Sequence, residues 1–154
     1  MILVRKMSRF AILASLLAFS ATGAWAATPA PGQDEDPAIV QHMKQVNRGL
    51  RRLRRQVADP AQKDSSLQLV RRMKTGVQAA QKEEPLKTPD LPEAERGPFL
   101  KAFGEKMDAV IETLTQLESA LEHEKFDQAE ELVKKLFALK KEGHDKFQKE
   151  IEIG

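Results

Sequence analysis

The feature that most limits what this chain can fold into is a run of apolar residues at alternating steps of three and four. Leu100, Phe103, Met107, Val110, Leu114, Leu117 and Leu121 follow one another at spacings of 3-4-3-4-3-4. An α-helix turns once every 3.6 residues, so this spacing draws a single apolar stripe along a helix, and such a stripe must be buried against a partner. Upstream, Ile39, Met43, Val46, Leu50, Leu53 and Val57 repeat the pattern at 4-3-4-3-4. Leu69, Val70, Met73, Val77 and Ala80 form a third stripe. Ala129, Leu132, Val133, Leu136, Phe137, Lys140, His144, Phe147 and Ile151 form a fourth. No segment alternates with the period of two that a half-buried strand needs. Four amphipathic helices with short links predict an all-α, antiparallel up-down-up-down four-helix bundle. A three-helix bundle with a detached fourth helix is the alternative.

Local signals predict where these helices begin and end. Asp36-Pro37 reads as a capping acid followed by proline at the first helical position, and Asp59-Pro60 closes the first helix. Ser65 or Ser66 is the expected cap of the second, which must stop before Pro85. The connection that follows carries Pro85, Pro89, Pro92 and Pro98, so the third helix is expected to start at Phe99. A short turn around His123 to Lys125 leads to the fourth, with Asp127 as its candidate cap.

The N-terminus reads as an address. Arg5, Lys6 and Arg9 precede the uncharged stretch FAILASLLAF, and Ala24-Trp25-Ala26 follows. That is the three-part pattern of a bacterial secretory signal peptide, with cleavage expected after Ala26 and delivery to the periplasm. Ten apolar residues are too few to span a bilayer, which weighs against a membrane anchor. The expected organisation is residues 1–26 as signal peptide, 27–35 as a Pro/Gly/acid-rich lead-in, and 36–154 as the bundle, with no transmembrane span in the mature chain. Removing the signal takes three basic residues with it and leaves 22 basic against 23 acidic, so the mature chain is near neutral. The chain has no cysteine, which excludes disulfides, thiolate metal sites and covalent haem attachment through C-x-x-C-H.

One pair of residues carries chemistry. Met43 lies about seven residues into the first helix, and His144 lies a similar distance from the end of the fourth. In an up-down-up-down bundle those two helix ends lie together, and both residues fall on inner stripes. A thioether and an imidazole would then face each other at one end, an axial pair known for low-spin haem. Phe103 and Met107 enter the same end from the third helix, and Met73 with the Pro85-Leu86 corner closes it from the second. The spacing alone leaves a second reading open, in which the methionine fills core space and the histidine is structural.

At these residues the chain resembles the cytochrome b562 family. The stretch HMKQVNRGL is similar to the family's N-M-x-x-L-N-x-x-L, with Met43, Asn47 and Leu50 in matching positions. MKTGVQAAQKEEPLK is similar to the family's M-R-A-A-A-L-D-A-Q-K run, with Met73, Gln81, Lys82 and Pro85 matching. KKEGHDKF stands against R-N-A-Y-H-Q-K-Y and puts His144 at the ligand position. Phe103 matches a haem-packing phenylalanine, and Met107 stands where the family has a second. The resemblance implies one non-covalent haem b per chain, with Met43 and His144 as axial iron ligands. It implies Val46, Asn47, Leu50, Met73, Pro85, Phe103, Met107 and Lys140 as residues around the haem. The departures are Lys140 and Gln148 where the family has arginines, and Gly143 where it has tyrosine.

The function implied is a one-electron carrier and not an enzyme. No nucleophile–base pair, phosphate loop or cluster of carboxylates and histidines appears. His42 is expected to face solvent, and His123 to sit in a turn at the other end. A haem-free periplasmic bundle with a binding or chaperone-like role is the alternative. Residues 36–82 hold eleven basic against three acidic side chains, and residues 83–154 hold eighteen acidic against eleven basic. The two halves either neutralise each other across the bundle or leave a basic face on the first two helices. Such a face would dock an acidic redox partner or an anionic membrane, nucleic acid not being an expected partner. The protein is expected to be a monomer.

Overall fold

Each of the four apolar stripes becomes a helix in the computed structural model, which describes residues 36–148. Helix α1 spans Ala38–Gln56, α2 Lys63–Ala80, α3 Glu93–Glu122 and α4 Phe126–Phe147. Single 3-10 turns at Pro60–Gln62 and Thr88–Asp90 lie in the first two connections, and no strand occurs among the described residues. α1 packs on α2, α2 on α3, α3 on α4, and α4 returns to α1. The expected signal peptide and lead-in, and Ile151, lie outside the described residues.

Side-chain pairs fix the antiparallel order. Gln56 at the end of α1 donates from Nε2 to Ser65 and Ser66 at the start of α2, at 3.1 and 3.0 Å. Arg71 and Lys74 of α2 reach Glu118 of α3, and Gln81 reaches Asp108. Lys106 of α3 meets Glu142 of α4, and Arg54 of α1 lies over the ring of Phe137 of α4. As the contact moves along α2 from Arg71 to Gln81, its partner on α3 moves back from Glu118 to Asp108, so the two helices run antiparallel. The result is an up-down-up-down bundle around Leu53, Val70, Val77, Leu114, Leu117 and Leu121, all fully buried.

Several boundary expectations need correction. Helix α1 starts at Ala38 with Pro37 in the cap position, and no side chain caps it. Asp36 lies one residue too early, and its carboxylate takes Lys44 instead. Ser65 and Ser66 do not cap α2, which starts at Lys63. Their hydroxyls are used by Gln56, while Asp59 caps the preceding 3-10 turn through the Ala61 amide at 2.9 Å. Asp127 is inside the first turn of α4 rather than at its cap, where its charge still favours the helix N-terminus.

The largest shift is in α3, which begins at Glu93 and contains Pro98. Proline normally crowds the Cβ of the residue before it out of the helical region. That residue is Gly97, which has no Cβ to meet the proline ring. The carbonyl that Pro98 leaves unpaired belongs to Ala94, an exposed residue, so water can reach it. The stripe also slips at this end. Leu100 is 39% exposed, and Phe99 turns inward in its place.

Candidate functional site

The end of the bundle that holds Met43 and His144 is closed by the α2–α3 connection. Arg96, near the start of α3, folds that connection down by donating from Nε to the Leu91 carbonyl and from Nη2 to that of Pro89, at 3.0 and 3.1 Å. Pro85 and Thr88 are buried beneath it, whereas Leu86 is 41% exposed and takes no part in the closure that sequence gave it. Thr88 Oγ1 is buried with no hydrogen-bond partner among the described residues.

Three phenylalanines build the floor. The Phe147 ring meets Phe99 edge-on at 5.2 Å between centroids and Phe103 at 5.4 Å. Edge-to-face contacts of this kind contribute beyond simple burial. Phe103 and Met107 are both buried. Sequence reading placed Phe147 on the inner stripe but not at the site. Its signal was its spacing, one helical turn beyond His144.

Met43 and His144 are both half-buried. The Arg54–Phe137 contact shows on which side of it the two residues lie. Met43 lies eleven residues before Arg54 and His144 seven residues after Phe137, or about 16 Å and about 10 Å along antiparallel axes. Both therefore lie toward the same end of the bundle from that contact. They lie on the seam where contact is slightest, since α1 touches α4 far less than it touches α2. The imidazole of His144 makes no hydrogen bond or ion pair to any described residue. A half-buried imidazole without a protein partner and a half-buried thioether, above an apolar floor, form a donor set that fits haem iron.

The remaining candidates are placed as follows. Val46 and Leu50 are buried on the inner face of α1, and Asn47 is half-buried one turn from Met43. Met73 is buried in the α1–α2 seam against Gly49: a Cβ on that glycine would lie 2.7 Å from Met73 Cγ. Gly76 lies against Val46 in the same way, at 3.0 Å. Sequence reading missed both glycines, whose signal was an unexplained break in helix propensity within two strong stripes. Lys140 is half-buried, one turn before His144, and has no ion pair among the described residues. Gly143 has only Lys106 Cγ, at 4.0 Å, near a would-be Cβ.

The two other histidines divide. His123 is exposed at the far end, its ring Nδ1 2.8 Å from the Ser119 carbonyl. His42 is half-buried, not fully solvent-facing as its angle from Met43 suggested. No group of three or more His, Cys, Asp or Glu residues among those described is arranged to hold a metal ion. No described helix is long and apolar enough to cross a membrane.

An antiparallel four-helix bundle with a thioether on its first helix and an imidazole on its last has the arrangement of a haem-binding bundle; cytochrome b562 is a standard example of that architecture. The family model for cytochrome b562 matches residues 38–148. The chain belongs to the cytochrome b562 family, whose members are haem-binding electron carriers. No curated protein and no solved structure matches the chain at a significant level.

Proposed function

We propose that the mature chain is a periplasmic one-electron carrier that holds one haem b, non-covalently, between Met43 and His144. The observation that carries this reading is the pairing of half-buried Met43 on α1 with half-buried His144 on α4, whose imidazole has no partner among the described residues, at one end of a bundle of this family. When bound, haem supplies an iron that gains and loses a single electron. Met43 and His144 would fill both axial positions, so small molecules are kept off the metal. A thioether stabilises the reduced ion more than a second imidazole would, which raises the potential. Phe103, Met107, Val46 and Leu50 exclude water from the faces. Lys140 would meet a propionate as a point charge, without the two-pronged geometry of arginine. Gly143 leaves the His144 side less covered than a tyrosine would.

Export follows the N-terminal pattern, with cleavage after Ala26 and residues 27–35 as a lead-in. The experiment is expression with the native N-terminus and analysis of the periplasmic fraction. The account expects a red protein beginning at Ala27, with one haem per chain that acidic organic solvent extracts completely. A colourless protein that takes up no added haemin would establish the haem-free binding bundle instead.

A further inference from the structure

Ion pairs divide the basic half of this molecule into two unequal parts. On α2, the cations that face α3 are used. Lys63 meets Glu124 at 2.8 Å, Arg71 meets Glu118 and Glu122 at 2.7 and 3.1 Å, and Lys74 meets Glu118 at 2.6 Å. Of the cations of α1, Lys44 pairs with Asp36 and Arg54 lies over the Phe137 ring, but the four outward arginines are not used in this way. Arg48, Arg51, Arg52 and Arg55 are exposed, and none forms an ion pair with a described residue. At 100° per residue these four guanidinium groups fall within an arc of about 100°, opposite the core-facing Val46, Leu50 and Leu53. They form a ridge about 10 Å long. Arg72 of α2 is exposed and likewise without an ion pair among the described residues, on the flank of α2 that carries Ser65 and Gly76 toward α1. No acidic residue lies between Asp36 and Asp59. The lysines of α4 differ, being interleaved with Glu130, Glu131, Glu142 and Asp145.

We infer that this arginine ridge, Arg48, Arg51, Arg52 and Arg55 with Arg72 beside it, is a docking face for a carboxylate-rich protein surface. Five like charges on one convex face repel one another, and an acidic partner relieves that repulsion. Arginine, unlike lysine, engages a carboxylate through two parallel hydrogen bonds, so the face selects orientation as well as charge. An anionic membrane fits less well. Surface-bound helices pair their cations with apolar side chains that enter the headgroup layer. Among the described residues the exposed large apolar side chains, Leu86 and Leu100, are not on α1 or α2. The inference extends the electron-carrier reading by giving the redox partner its chemistry. The docking itself is measurable with or without haem.

The test is an amide-shift titration of the full mature chain, as purified and after haemin addition, with an acidic peptide of repeated Glu-Glu-Ala units. Shifts centred on residues 48–55 and 72, fading as salt approaches physiological strength, are the expected result. Replacing all four α1 arginines (R48Q, R51Q, R52Q, R55Q) should weaken peptide binding at least about tenfold while leaving the circular dichroism unchanged. The same chain is spun with vesicles of phosphatidylglycerol and phosphatidylcholine at matched salt. Shifts on the α4 lysines, no shifts, unaltered binding by the quadruple variant, or vesicle binding tighter than peptide binding would each overturn the proposal. Because the shifts are read with and without haem, a failure of docking is distinguishable from a failure to bind haem.

Discussion

Gly49 and Gly143 show how the same residue type serves different ends within one bundle. Both lie inside helices, where glycine costs about 1 kcal/mol relative to alanine. At Gly49 the absent side chain is what lets Met73 lie against α1, with a would-be Cβ 2.7 Å from its Cγ and 2.9 Å from its Sδ. Met73 is 2% exposed and boxed in, so neither atom can swing clear. Gly49→Ala should therefore destabilise the fold, because overpacking of about 1–3 kcal/mol outweighs the gain in helix propensity. Gly143 meets no such neighbour, and Gly143→Ala should stabilise the haem-free protein by about 0.5–1 kcal/mol. Urea midpoints of the two variants test this directly: opposite signs are expected, and stabilisation by both would refute the close approach at Gly49. Neither packing role was legible in the sequence, where Gly49 drew no reading and Gly143 read only as a departure from the family's tyrosine. The partner that distinguishes them comes from another helix.

At the scale of the element, the α2–α3 seam depends on Glu118. Its carboxylate is held below the usual range, first by the hydrogen bond from Arg71 and then by that from Lys74, against a smaller opposing effect of burial. A carboxylate with a depressed folded pKa contributes its stability above the unfolded value and loses it as pH falls through the folded one. Glu118→Gln should cost about 1 kcal/mol at pH 7, and the gap between variant and wild type should close on acidification below the ordinary carboxylate range. A gap that persisted in acid would show that packing, and not charge, holds the seam. The helices themselves were legible, because four apolar stripes at 3.6 periodicity admit few other folds. Their ends were not. Ser65 and Ser66 look like caps, but Gln56 takes both hydroxyls from another helix. Pro98 looks like a boundary, but Gly97 before it has no Cβ to clash with the ring, and the helix runs through. Caps and prolines are read from neighbours in sequence, and here neighbours in space decide them. Met43 and His144 stood out as a pair only because antiparallel topology brings the start of α1 to the end of α4. Phe147 did not stand out, because an inward phenylalanine on a stripe reads as ordinary core.

On the scale of the whole molecule, the proposed haem and the fold stabilise each other unevenly. A ligand that binds only the folded chain, at a hundredfold excess over its Kd, adds about 2.7 kcal/mol. That gain should be local, since Leu117, Leu121 and Leu132 pack at the far end while Phe103 and Phe147 pack at the site. Hydrogen exchange should show protection gained on haem binding at residues 38–43 and 144–147, with little change around Leu121. Equal gains at both ends would place the haem elsewhere. The central claim is the ligand pair, and X-ray absorption at the iron edge of the haem-loaded protein tests it most directly. The account predicts one sulfur in the iron's first coordination shell, lost on Met43→Ala with a change from low to high spin while some haem is retained. It predicts that His144→Ala loses most of the haem. A shell without sulfur in the wild type, or a sulfur that survives Met43→Ala because Met73 or Met107 supplies it, would contradict the account.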